Sequence, residues 1–193
     1  MVQRDPIQTA KQVASLDQIS GGRFLFGIGA GWNIEEMNNH GTRGEGRFKL
    51  MRERIEAMKE IWTKDEASYE GEHVSFDRII ANPKPVRKPY PPIHVGGAFP
   101  GGARRAVRYA DGWIPIGGRE DMDFPEMVRD FRTMAEEAGR NPDEMEISIF
   151  AVPPDGDFVK RCEDAGVSRV VYGAPPAGAD VVLPFLDTLA GLR

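Results

Sequence analysis

The chain has 193 residues, 40% hydrophobic and 28% charged, with a net charge of −5; this suits one domain with a substantial core, residues 1–193, and is short for two. The acidic balance disfavours nucleic acid, no apolar run is long enough to cross a bilayer, and the segment from Met1 to Pro6 has no signal-peptide core. The lone Cys162 precludes an internal disulfide and fits a reducing cytoplasm; with only His40, His73 and His94 beside it, a Cys/His metal site is not expected.

Asp5-Pro6 predicts a helix start, a cap residue followed by proline in the first turn, with Ile7, Ala10, Val13, Ala14 and Leu16 as its apolar side and Ser20-Gly21-Gly22 as its stop. Phe24 to Ile28 then reads as a strand covered on both faces. It runs into alternating glycines, Gly27, Gly29 and Gly31, which either let a flat group lie on the backbone or serve tight strand–helix packing. A polar segment reaches Arg47, after which Phe48, Met51, Ile55, Met58 and Trp62 recur at helical spacing as a core stripe. Residues 63–92 form an irregular excursion, with a small hairpin expected from Ala67 to Phe76 and two proline clusters, Asn82 to Pro85 and Pro89 to Pro92, that regular structure does not accept.

From there strand and helix alternate: strands at Ile93–Gly97, Trp113–Ile116, Glu146–Val152 and Val167–Tyr172, and helices opening at Pro100, near Phe124, at Phe158 and at about Asp180. Five strands in such alternation predict an α/β fold with a parallel sheet, open or closed as a barrel. Ligands of such folds gather at the C-terminal strand ends, and four of the five ends here carry glycine: those at Gly29, Gly96, Gly117-Gly118-Arg119 and Gly173. The second is the most informative. Gly96-Gly97-Ala98-Phe99 leads into the amino end of a helix at Pro100-Gly101-Gly102, where free amides and the helix dipole favour an anion such as phosphate, with Arg104 and Arg105 able to add charge; the competing reading is a tight turn with solvated arginines. Glu35 and Glu36 either accept a hydrogen bond from a ligand or simply suit a helix amino end. His94 reads as a packed residue inside a strand, and no catalytic constellation is apparent.

Taken together, Arg4-Asp5-Pro6, the run from Ala10 to Arg23, Gly27-Ile28-Gly29-Ala30-Gly31-Trp32-Asn33, Asn82-Pro83-Lys84-Pro85-Val86, Pro91 to Gly97, Arg104-Arg105-Ala106 and Asp111-Gly112-Trp113 resemble the bacterial luciferase-like monooxygenase family. The closest resemblance is to the branch that uses the deazaflavin coenzyme F420. It implies a TIM-type (β/α)8 barrel, here truncated to about five parallel strands with an insertion after the first. It also implies an oxidoreductase that moves a hydride between F420, or FMN as the alternative, and a small organic substrate, with or without dioxygen. Carried over position by position, Ala30, Gly31 and Glu35 line the cofactor near its ring or ribityl chain, and Gly97, Ala98, Gly101 and Gly102 hold its phosphate. Family loops often carry serines where this chain has Ala98 and Phe99, which leaves backbone amides as the contacts.

The family has three strands before Arg23-Phe24-Leu25-Phe26 that are missing from this chain; they supply its acid–base group, so no catalytic residue is named. The expectation is either a fragment of a longer reading frame or a lineage that lost the front of the barrel. An open edge at Phe24–Ile28 predicts self-association, most simply a homodimer, in the cytoplasm. Two competing readings stay open: a phosphate-binding barrel enzyme without a redox cofactor, and a non-catalytic remnant that binds a partner.

Overall fold

The computed structural model describes residues 1–117 and 123–192. The chain folds as two compact units, Met1–Ile93 and His94–Arg193. In the first unit, α1 spans Pro6–Ser20, with Asp5 Oδ1 accepting the Gln8 amide at 2.8 Å and Gly21 (φ 62°) ending it. Its buried face is Pro6, Thr9, Ala10, Val13, Ala14 and Asp17, whereas Ile7 and Leu16, expected inside, are exposed. The reason is close helix packing. Ala10 and Ala14 admit the helix α3 (Arg47–Thr63) so near that Trp62 Nε1 donates to the Ala10 carbonyl at 2.9 Å, which turns the bulkier side chains outward.

Strand β1 is only Phe26–Ile28, shorter than its apolar run, and it is not covered on both faces: Ile28 alone is buried and Gly27 is exposed. Phe26 N donates to Pro92 O at 2.8 Å, and its ring meets Trp62 edge-on at 6.2 Å. A short helix α2 (Ile34–Asn39), too brief to show periodicity, fills the segment read as polar loop; Asn33 caps it through the Glu36 amide at 3.1 Å. On α3, Met51, Ile55, Met58 and Trp62 are buried as the stripe predicts, while Phe48 is exposed beneath the Arg47 guanidinium, 4.6 Å from its centroid. The expected hairpin forms from β2 (Ala67–Glu70) and β3 (Ser75–Ile79), antiparallel, with Tyr69 opposite Phe76. Buried Glu53 accepts the His73 and Val74 amides at 2.6 and 3.2 Å and so anchors the turn to α3. The proline segments have no regular structure; they are held by fully buried Asp17, which accepts the Arg87 amide at 2.9 Å, and by Gln18, which donates to the Lys84 carbonyl at 2.7 Å.

The second unit continues β4 (Ile93–Gly96) into α4 (Gly101–Tyr109), β5 (Gly112–Ile114), α5 (Phe124–Glu137), β6 (Glu146–Val152), α6 (Gly156–Asp164), β7 (Arg169–Tyr172) and α7 (Ala179–Ala190), with a 3-10 turn at Pro142–Glu144. The sheet order is β1-β4-β5-β6-β7, and β4, β5, β6 and β7 pair in parallel. This is the five-stranded parallel α/β architecture that the alternation predicts. The third strand stops at Ile114, short of the expected Ile116, which makes an isolated parallel bridge to Phe150. Val95, Trp113 and Ile147 stand opposite one another in register on the face that the helices cover, and Trp113 packs on Phe131 with centroids 5.4 Å apart. Gly118 and Arg119, part of one glycine-bearing strand end, lie outside the described residues. Among the described residues no helix is long and apolar enough to cross a membrane.

Candidate functional site

The β4–α4 connection brings Gly97, Ala98, Gly101 and Gly102 together in one turn. Gly97 N donates to Ile114 O at 3.2 Å, and Gly97 O accepts the Trp113 indole N–H at 2.8 Å, which pins the loop to β5. Gly97 has φ 142°, a conformation suited to glycine. A Cβ on Gly102 would collide with the Gly97 carbonyl and sit 2.9 Å from Trp113 Nε1, so α4 approaches the strand through a missing side chain. The Gly102 amide donates to Ala98 O at 2.6 Å and the Arg104 amide to Pro100 O at 3.0 Å. Among the described residues, the amides of Ala98, Phe99, Gly101 and Ala103 make no backbone hydrogen bond. Gly101 and Ala103 are orphan donors of the helix amino end, at the positive pole of its dipole, and Ala98 and Phe99 belong to the loop just before it.

Half-buried Arg105 completes the electrostatics. Its guanidinium lies over the loop: a Cβ on Gly97 would be 2.9 Å from Nη2 and one on Gly101 3.4 Å from Nη1. Arg104 instead faces solvent, as does Arg108, and no acidic residue stands in the first turn of α4. Unused amides, a helix dipole and a guanidinium converging on one glycine turn fit a phosphate group. The Trp113 anchor was not legible in the sequence, where Trp113 reads only as an apolar strand residue.

The other predicted residues lie together on the first unit. Ala30 is buried, and Gly31 (φ 77°) rests on Met37, whose sulfur would be 3.2 Å from an added Cβ. Glu35 and Glu36 are exposed in the first turn of α2, and Trp32 is 87% exposed.

A polar network that the sequence reading missed occupies the sheet face opposite the helices in the second unit. His94, 1% exposed, packs against Gly112, where a Cβ would be 2.9 Å from Nε2. Its Nδ1 is 3.4 Å from Ser148 Oγ and its Nε2 3.3 Å from Glu146 Oε2; Arg169 Nη1 donates to both Ser148 Oγ (2.8 Å) and Glu146 Oε2 (3.0 Å). Burial lowers the His94 pKa, Glu146 opposing and Arg169 reinforcing, so the imidazole is held neutral. The available signal was Glu146 and Ser148 alternating with Ile147 and Ile149, polar positions on one face of an apolar strand. Burial also raises the Cys162 thiol, which is no thiolate nucleophile. Among the described residues no group of three or more His, Cys, Asp and Glu has a metal-binding arrangement.

The sequence model of the luciferase-like monooxygenase family matches residues 1–154, and the chain belongs to that family. It is 38% identical to an uncharacterized protein of Mycobacterium tuberculosis (strain H37Rv), over 98% of this chain and 66% of that protein. It is 32% identical to an FMNH(2)-dependent dimethylsulfone monooxygenase of Pseudomonas putida, over 89% of this chain and 47% of that one. The chain thus spans less than two thirds of the length of these curated relatives. Its fold matches an F420-dependent secondary alcohol dehydrogenase in complex with an F420-acetone adduct at a TM-score of 0.76, with 18% identity, covering all of this chain and 77% of that one. The last likeness is one of fold.

Proposed function

We propose that the protein is an oxidoreductase that transfers a hydride between F420, with FMN as the alternative, and a small organic substrate, with or without dioxygen. The observation that carries this reading is the β4–α4 turn, whose unused amides at Ala98, Phe99, Gly101 and Ala103 and whose Arg105 guanidinium suit the phosphate that both cofactors carry. When bound, the cofactor ring supplies two-electron chemistry. The chain's own residues grip and orient: the Gly97–Gly102 turn holds the phosphate, Arg105 neutralises it, and Trp113 keeps the turn from opening. Ala30 and Gly31 are proposed to run beside the ring or ribityl chain, with Glu35 accepting from a hydroxyl. The proposed setting is a cytoplasmic homodimer acting on a small molecule, with neither nucleic acid nor membrane as partner.

The test is a fluorescence titration with oxidised F420 and then FMN. Saturable quenching with either supports the reading; silence with both removes it and favours a non-catalytic binding protein.

A further inference from the structure

The hydrogen bonds of the His94 cluster assign its protons, and the assignment holds only while the imidazole is neutral. Ser148 Oγ accepts from Arg169 Nη1 at 2.8 Å, so its own hydrogen is left for His94 Nδ1, 3.4 Å away. Nδ1 is then the acceptor, and Nε2 carries the ring proton. Nε2 lies 3.3 Å from Glu146 Oε2 but out of line for a hydrogen bond, while that same oxygen accepts from Arg169 Nη1 at 3.0 Å. An added proton on Nδ1 turns the acceptor into a donor, and the Ser148 hydroxyl, 3% exposed between Ile147 and Ile149, loses its partner. It also sets an imidazolium and a guanidinium against one carboxylate oxygen. Among the described residues, the charged groups acting on His94 are Glu146 of β6, Arg169 of β7 and Asp111, just before β5; β4 itself carries none.

What Arg169 holds in place is the end of the sheet. Strand β7 is the last in the sheet order, and no residue of α7 is buried. The register of β6 against β7 slips between Phe150 and Val152, and Ala151 in that bulge has φ 59°. A non-glycine residue in this region is strained, and a bulge interrupts the ladder of backbone bonds. Among the described residues, every side-chain hydrogen bond that ties residues 169–192 to the rest of the chain comes from Arg169. Gly173, one of the glycine-bearing strand ends, directly follows β7. Segments with few buried contacts open at a lower free energy than the core.

We propose that protonation of His94 frees Arg169 and releases β7 and α7 from the sheet, an acid-operated opening of the C-terminal arm that carries Gly173 away with it. Glu146 turns from Arg169 to the imidazolium, and the guanidinium, already half-exposed, goes to water. The device does not depend on the oxidoreductase reading. The closed arm disfavours the proton, so its protection is complete above the ordinary histidine value of about 6.5 and falls by up to about tenfold per pH unit below it.

The experiment is amide hydrogen exchange read by mass spectrometry on the full chain at pH 8 and pH 5, corrected for intrinsic exchange rates, on wild type, His94→Gln and Arg169→Gln. Near-UV circular dichroism verifies each fold, and Arg169→Gln decides alone where His94→Gln does not fold. In wild type at pH 5, peptides covering β7 and α7 are expected to lose protection while those covering β4 and β5 keep theirs. In His94→Gln the arm stays protected at pH 5. In Arg169→Gln it exchanges faster than wild type already at pH 8, and acid adds nothing further. Acid loss spread evenly from β4 to β7, the same loss in wild type and His94→Gln, or an Arg169→Gln arm as protected as wild type at pH 8 overturns the proposal. So does a nitrogen NMR spectrum of wild type at pH 8 that places the His94 ring proton on Nδ1.

Discussion

Gly102→Ala is the substitution whose cost follows most directly from the geometry of the anion turn. The new methyl would meet the Gly97 carbonyl, a backbone group that cannot move without also moving β4, and would press on Trp113 Nε1 at 2.9 Å. Overpacking of this kind costs about 1–3 kcal/mol, and losing the Trp113–Gly97 hydrogen bond adds about 1 kcal/mol. The gain in helix propensity returns up to about 1 kcal/mol. The net expectation is about 1–3 kcal/mol of lost stability by urea denaturation, together with weakened phosphate binding. Gly101→Ala is the control, because its Cβ would lie 3.4 Å from the movable tip of Arg105; its stability should stay within about 0.5 kcal/mol of wild type. If the two variants prove equally stable and bind inorganic phosphate equally, the close strand–helix approach is not what shapes the turn.

The neutral His94 predicts a pH dependence. Its folded pKa is lowered, so the unfolded state takes up the proton first; the contribution is complete above the unfolded value of about 6.5 and is lost as pH falls from there through the depressed folded value. Denaturation midpoints should drop toward pH 5 in wild type and drop less in His94→Gln, with Glu146, Ser148, Arg169 and Asp111 intact; a steeper loss in the variant contradicts this. Glu53→Ala leaves the His73 and Val74 amides without their carboxylate and should cost roughly 3 kcal/mol, read as a lower Tm and faster tryptic cleavage at exposed Arg78; wild-type cleavage rates would show that the hairpin does not depend on Glu53. Ala151→Gly should relieve left-handed strain and stabilise by about 0.5–1 kcal/mol, whereas a destabilised variant would remove strain from the account of the β6 bulge.

Long periodic or alternating segments were legible in the sequence because burial follows one period over many residues. Strand β6 falls where its Glu146–Val152 pattern puts it, and the α3 stripe is buried at Met51, Ile55, Met58 and Trp62. The buried face of α1 was misread because small residues won: close packing at Ala10 and Ala14 outranks the hydrophobicity of Ile7 and Leu16. The glycine turn at Gly97–Gly102 was readable as a strand–loop–helix junction, since local chemistry defines it. The indole that fastens it, the Glu146–Arg169 ion pair over His94 and the Ile116–Phe150 bridge were not. Each depends on cross-strand register, which joins residues 16 to 54 positions apart.

The central claim is that backbone amides at the head of α4 bind a phosphate-bearing cofactor, and amide-resolved NMR reads those amides themselves. Wild-type protein is titrated with FMN, with F420 and with riboflavin, which lacks the phosphate. The account predicts saturable shifts at Ala98, Phe99, Gly101 and Ala103 with F420 or FMN, and at least about tenfold weaker effects with riboflavin. Shifts confined to other residues, or riboflavin matching the phosphorylated forms at these four amides, would contradict it.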